Sequence, residues 1–293
     1  MLSLRTHWQD AVQIWKERLS CSALECHASR RVWGRISDNM GSARLHGRRY
    51  CYPNCFEEEL GRRITGMRVS SNRSAMPPHR IPLGLLMLAR GELNHEQLRR
   101  AHEEQKQHGC GRIGEWFQRL GYAQESQITA ALAVQWSCPV LPALPARIAD
   151  CAIPLQLLQR FNMVPIHYSR RMSVVHMAFA FCIDYRALLA IEQMLECKAQ
   201  PCLDSATAVQ SYLERLDEAG NRGTLLFGDV GGPDQMIRII SSYAAKLAAE
   251  AVRLVGCAEY IWVKIEGTKE TVNLIFEQPS AEAALDYRMA KVP

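Results

Sequence analysis

A chain of 293 residues is long enough for two or three domains, and 48% apolar residues are ample for their cores. No apolar stretch approaches the roughly 20 residues of a membrane span. The N-terminus, M-L-S-L-R-T-H-W-Q-D, has no apolar signal core, so a cytoplasmic protein is expected.

The first third is basic. Residues 1–80 carry fourteen Arg or Lys against seven Asp or Glu, a net +7 within an overall +5, leaving −2 for the rest. This asymmetry implies nucleic acid, anionic lipid or an acidic partner, or else only a solubilising surface. Residues 5–19 have amphipathic helical spacing, with Trp8, Ala11, Val12, Trp15 and Leu19 on one face. Two cysteine pairs follow, Cys21 with Cys26 and Cys51 with Cys55, with 24 residues between the pairs. Thiolates from two short knuckles can close a tetrahedron on Zn²⁺, a structural site with no open position. His27 is an alternative ligand, and four unrelated reduced thiols are the plainer account. Between the pairs, Val32, Trp33, Gly34, Ile36 and Leu45, with Asn39, Gly41 and Gly47 as turn residues, suit a short β-hairpin. Phe56, Leu60 and Ile64 then mark a helix. A region this small, with few aliphatics, needs a staple. Knuckle, hairpin and knuckle at a helix start resemble a treble-clef zinc finger. Y-C-Y-P-N-C-F is similar to the Y-C-S-P-x-C-F signature of several small zinc-finger families, although the first pair departs from the commoner C-x₂-C. The seven other cysteines, Cys110, Cys138, Cys151, Cys182, Cys197, Cys202 and Cys257, are scattered singly, and most, with apolar neighbours, read as small buried hydrophobes.

Residues 69–80 read as a linker, small and polar at V-S-S-N-R-S-A-M-P-P. From Pro82 one pattern is then written twice. The first copy is P-L-G-L-L-M-L-A-R-G-E-L-N-H-E-Q-L-R-R-A-H-E-E-Q, and the second, from Arg112, is R-I-G-E-W-F-Q-R-L-G-Y-A-Q-E-S-Q-I-T-A-A-L-A-V-Q. Gly84, Gly91, Leu98 and Gln105 recur as Gly114, Gly121, Ile128 and Gln135, each 30 positions later. Each copy reads as helix, turn, helix. Gly91 and Gly121 stand where a glycine relieves a helix end, and Asn94 with Gln97 forms a capping-box-like start. Gly84 and Gly114 near a helix start either allow tight helix crossing or admit a ligand close to backbone.

This repeat resembles the N-terminal (MshEN-type) domain of the type II secretion and type IV pilus assembly ATPases. That family's pattern is R-[LI]-G, a helix, G, then spaced leucines ending in Q, twice over. The resemblance covers roughly residues 81–216. It implies a protein partner in a secretion or pilus-type apparatus, and in some members cyclic di-GMP bound between the two copies. The arginine opening each copy then meets guanine and phosphate, and apolar side chains pack on the bases. Carried over by position, the candidate nucleotide-binding residues are Leu83, Gly84, Met87, Gly91 and Gln105 in the first copy, where Leu88 and Leu98 also match. In the second copy they are Arg112, Ile113, Gly114, Phe117, Gly121 and Gln135. Pro82 stands where the first arginine belongs, two residues after Arg80; Glu92, His102 and Gln118 occupy apolar positions.

Residues 147–217 read as an α/β part. Pro154 opens a short helix, and strands are expected at Met163–Tyr168, Ser173–Phe181 and Gln200–Asp204, with helices at Tyr185–Leu195 and Thr207–Leu216. His167 and His176 read as lone histidines flanking strands. A Gly/Asp-rich connector spans residues 218–233. A long helix, Asp234–Gly256, and a hairpin, Tyr260–Glu266 with Thr271–Glu277, complete the last part, 234–293. No G-x-x-x-x-G-K-[ST], G-x-S-x-G or H-E-x-x-H occurs in the sequence, so no motor or hydrolase motif is recognised.

The expected fold is α+β and multidomain: a zinc-finger-like module (1–68), a helical repeat (82–135) with its α/β part, and a C-terminal helix with β-hairpin. The expected function is a non-enzymatic cytoplasmic regulator or adaptor. The alternative is a zinc-dependent nucleic-acid-binding regulator whose Arg30, Arg31, Arg35, Arg44, Arg48 and Arg49 meet phosphates.

Overall fold

Residues 42–51 turn back on themselves at His46–Gly47, where φ is +48° and +77°, and so begin the first sheet. The computed structural model describes residues 21–23, 26, 42–70, 80–141, 151–218, 220, 223–228 and 230–278. The expected helix over 5–19, the alternative ligand His27, the stretch Val32–Ile36, Arg30, Arg31 and Arg35, and most of the 69–80 linker lie outside these residues. In chain order the elements are β1 (Ser42–Leu45), β2 (Arg48–Cys51), α1 (Asn54–Ser70), α2 (Leu83–Ala89), α3 (His95–His108), α4 (Ile113–Arg119) and α5 (Glu125–Trp136). Then come α6 (Leu155–Phe161), β3 (Met163–Ser169), β4 (Val174–Phe179), α7 (Tyr185–Leu195), β5 (Lys198–Leu203) and α8 (Ala206–Glu218). The last are β6 (Thr224–Phe227), α9 (Pro233–Lys246), β7 (Ala251–Cys257), β8 (Tyr260–Glu266) and β9 (Thr271–Glu277). The fold class is α+β, with two mixed sheets among the described residues.

The chain divides into two units, residues 1–73 with 223–293, and residues 74–222. In the first unit a six-stranded sheet runs β2-β1-β7-β8-β9-β6, with β1 parallel to β7 and β6 parallel to β9. Phe56, Leu60 and Ile64 of α1 and Met236, Ile240 and Ala244 of α9 share one core with Leu45, Tyr50, Val252, Ile261, Val263, Leu274 and Phe276 of the sheet. The alternation of β8 is visible in this packing: Ile261, Val263 and Ile265 enter the core. On the other face the fully buried Trp262 donates its indole N–H to Asn273 Oδ1 at 2.9 Å.

One sequence expectation is corrected here. The helix expected over Asp234–Gly256 is α9 followed by a third strand, β7. Pro233 at the first helical position starts α9, Asp234 favours its N-terminus, and the chain leaves it through Leu247 and Ala248, the latter at φ +46°. Residues 251–257 then pair with β8 along their whole length. Of the hairpin expected between the cysteine pairs, Leu45 and the turn residue Gly47 belong to the β1–β2 hairpin, while Val32–Ile36 lie outside the described residues. Because β1 pairs with β7, the cysteine-bearing segment and the C-terminal elements share one core rather than standing as separate modules.

Between β8 and β9 the chain passes close under the end of α9. A Cβ on Gly267 would lie 2.5 Å from the Leu247 carbonyl oxygen and 3.0 Å from Leu247 Cβ. A backbone oxygen cannot rotate away as a side-chain tip can. Gly267→Ala is therefore expected to cost about 1–3 kcal/mol, at the upper end of that range, read as a lowered urea midpoint at unchanged slope.

In the second unit, α2 to α5 form two helical hairpins, and a three-stranded sheet β3-β4-β5 carries α6, α7 and α8. β3 and β4 are antiparallel, while β4 and β5 are parallel. Pro154 caps α6, and Asp184 accepts hydrogen bonds from the Arg186 and Ala187 amides to start α7. β5 begins at Lys198, two residues before the expected strand.

Candidate functional site

The two repeat copies have matching local geometry. Pro82 and Arg112 each take the extended N-cap conformation, with φ −53°, ψ 139° and φ −85°, ψ 150°, so a proline fits the first copy's backbone while removing a cation. Each first helix ends alike. Glu92 donates to the Met87 carbonyl at 3.0 Å and Tyr122 to the Phe117 carbonyl at 2.8 Å, with Gly91 at φ +71° and Gly121 at φ +73°. Each second helix also starts alike, with the Asn94 and Gln124 amides donating to Gln97 Oε1 and Gln127 Oε1 at 2.9 and 2.8 Å.

The terminal glutamines tie the copies to each other. Gln105 donates through Nε2 to the Gly111 carbonyl at 2.9 Å, at the start of the second copy. Gln135 donates to the Ile81 carbonyl at 2.6 Å, at the start of the first. Glutamine has both the reach and the amide donor this needs, and each bond joins the end of one copy to the residue just ahead of the other.

The helix-start glycines serve packing. A Cβ on Gly84 would meet Leu98 Cδ1 at 2.5 Å and Phe117 Cζ at 3.5 Å, and one on Gly114 would meet Ile128 Cγ2 at 3.2 Å and Leu83 Cδ2 at 3.4 Å. Each glycine thus faces the second helix of its own copy and one side chain from the other copy. The tight-crossing alternative accounts for both positions.

Of the carried-over residues, Leu83, Arg112, Ile113 and Gly114 line one cavity of about 200 Å³. Met87 and Phe117 are fully buried and hold the helices together. Gly91 and Gly121 are helix terminators, and Gln105 and Gln135 are the ties just described. The rest of the cavity wall was not anticipated. Ile128, Thr129 and Leu132 come from α5, and Ala180, Phe181 and Ala206 from the α/β part. Glu125 also lines it, while its carboxylate caps α8 by accepting from the Thr207 amide and hydroxyl at 2.9 and 2.8 Å.

Two guanidinium groups bear on this region, Arg112 in the cavity wall and Arg80 outside it. Arg112, half exposed, lies 3.9 Å over the Phe181 ring and 3.7 Å from Glu115. Arg80 lies 3.1 Å over the Trp136 ring, and its Nη1 is buried without a hydrogen-bond partner. Both cations act on the same thiol, the exposed Cys182: partial desolvation and Asp184 raise its pKa, and the charges of Arg112 and Arg80 oppose that rise. Asp184, close by, is held below the usual carboxylate range. Burial works against ionisation there, but the Arg186 side chain and the Ala187 and Arg186 amides outweigh it.

The cysteine cluster lies in the other unit. Cys51 ends β2 and Cys55 lies in the first turn of α1. Ser22 donates to the Arg49 carbonyl at 2.7 Å and so brings the first pair alongside β2. The sulfurs of Cys21, Cys26, Cys51 and Cys55 all lie within 4.8 Å of one another, Cys26 and Cys51 at 3.6 Å. A tetrahedral Zn²⁺ with Zn–S of about 2.3 Å places its sulfurs roughly 3.8 Å apart, so this donor set fits that ion. The Cys51 amide donates to Cys21 Sγ at 3.3 Å, a partner suited to a coordinated sulfur. Burial and the neighbouring sulfurs push the Cys55 thiol up to about 12 and raise Cys51 as well. The expected need for a staple in an isolated small region does not apply, since Cys21, Ala23, Tyr52 and Cys55 pack on the large core of this unit. Of the basic residues, Arg44 and Arg48 are exposed on the β1–β2 hairpin and Arg49 is half-buried. No described helix is long and apolar enough to cross a membrane.

No protein-family model matches the chain, and no curated protein matches it. Among solved structures, it is similar to MshE with cdg (cyclic di-GMP) at 25% identity and a TM-score of 0.40, over 46% of this chain and 99% of that one. It is also similar to the N-terminal domain of XpsE in two crystal forms. One match has 18% identity and a TM-score of 0.34 over 45% and 92% of the two chains; the other has 20% and 0.28 over 44% and 90%. Part of this chain, under half its length, resembles an MshEN-type domain.

Proposed function

We propose that this protein is a non-enzymatic regulator or adaptor in which the duplicated hairpins form a docking crevice. The crevice engages a protein partner of a secretion or pilus-type apparatus and takes cyclic di-GMP as its ligand. The observation that carries this reading is the cavity both copies line, Leu83 from the first and Arg112, Ile113 and Gly114 from the second, with Arg112 in its wall. Arg112 supplies a planar fork of donors for phosphate or a purine edge, and Leu83 and Ile113 supply apolar contact for a base. Pro82 offers no cation, so Arg80, with an unpartnered nitrogen, is the second positive group. A cysteine-held Zn²⁺ has a structural role: Cys21, Cys26, Cys51 and Cys55 fill its coordination, leaving no position for substrate or water.

Calorimetry with cyclic di-GMP tests the ligand. Micromolar binding is expected for the wild type, and loss of at least tenfold in affinity for Arg112→Ala. Absence of heat with the wild type would remove the dinucleotide and leave partner docking alone.

A further inference from the structure

His167 and His176 lie in different strands, and nothing in their spacing suggests that they meet. In the sheet they are direct cross-strand partners. The pairing of β3 with β4 shifts by one residue between Pro165 and His167. Pro165 pairs with Met177 and His167 with His176, which makes Ile166 the extra residue of a β-bulge. In a regular ladder Ile166 would stand opposite His176. The bulge replaces it with His167, re-aiming an imidazole as bulges do. The two ring centroids are 5.8 Å apart with planes at 45°. His167 is exposed and His176 half-buried, and the Nδ1 of His176 is shielded from solvent without a hydrogen-bond partner.

A buried ring nitrogen without a partner is costly, and a neutral imidazole nitrogen is a good metal ligand. Two imidazoles bound to one ion at about 2.0–2.1 Å place their centroids roughly 4.5–5.5 Å apart, so the rings must close by about 0.3–1.3 Å, a shift of their side chains about χ1. On the same sheet face the register neighbours are Ser169, Val174, Ala178, Lys198, Gln200 and Cys202, one of them a cation and none a carboxylate. Nitrogen donors without oxygen anions select late first-row ions such as Ni²⁺, Cu²⁺ or Zn²⁺ over Mg²⁺ or Ca²⁺. We infer that His167 and His176 form a two-histidine chelate for an exchangeable late transition-metal ion, separate from the four-cysteine cluster and reached from the side of the exposed His167.

Ni²⁺ added to zinc-saturated full-length protein tests this. Calorimetry is expected to show one Ni²⁺ per chain at micromolar affinity. His167→Ala, at an exposed position, and His176→Gln are each expected to weaken it at least tenfold. In the wild type, substoichiometric Ni²⁺ is expected to broaden the ring resonances of both histidines first among the nine, a readout that needs no variant. Equal affinity in wild type and His167→Ala, or broadening that spares these two rings, would overturn the assignment.

Discussion

Replacing Cys51 by serine is expected to drop bound zinc below about half an equivalent and to lower the thermal midpoint. Structural zinc contributes about 10–16 kcal/mol of apparent free energy in small zinc-finger peptides. Here the cost is smaller, because Phe56, Leu60 and Ile64 are fully buried in a core that does not depend on the metal. The expected result is therefore local. The sheet signal in circular dichroism persists, while the Ser22 amide, bonded to the Arg49 carbonyl, loses its protection from hydrogen exchange. A strong chelator should reproduce the effect in the wild type. Acid should as well, since a thiol pushed up to about 12, as Cys55 is, competes for a proton, and the metal's contribution is lost as pH falls. Retention of a full equivalent of zinc by Cys51→Ser would contradict four-sulfur coordination.

Phe117→Ala is expected to destabilise the protein by about 3–5 kcal/mol, read from urea denaturation, with folding of the repeat lost first. The ring is fully buried and reaches the position above Gly84 where no Cβ intervenes, so its removal leaves a cavity between the copies. Backbone hydrogen bonds surround that cavity on both helices and cannot follow a missing side chain inward. Urea midpoints unchanged within about 1 kcal/mol would mean that the two hairpins do not depend on each other.

The repeat was the most legible part of the chain. Glycines at two helix ends, cap residues and buried positions all recur at an offset of 30, and each marks a local conformation that neighbouring residues decide. The purpose of Gln105 and Gln135 was not legible, since their acceptors, the carbonyls of Gly111 and Ile81, are backbone groups just ahead of the other copy. β7 was missed for a physical reason. Ala244, Leu247, Ala251 and Leu254 continue the helical spacing of α9, and no glycine or proline marks the break after Lys246. What decides the matter is pairing with β8 and with β1, the latter some 200 residues earlier. The cavity wall was half legible. Arg112 and Gly114 follow from the repeat, whereas Phe181 and Ala206 have no local pattern and arrive by tertiary packing.

The pairing of β1 with β7 also sets an order of events during synthesis. Residues 42–51 leave the ribosome about 200 residues before their partner strand exists. At roughly 5–20 residues per second that delay is on the order of 10–40 s. Residues 74–222, whose contacts are complete much earlier, can fold within that interval. The apolar face of α1 meanwhile waits for α9 and the last three strands, so a ribosome stalled before residue 250 would display Phe56, Leu60 and Ile64 to chaperones while holding a finished repeat.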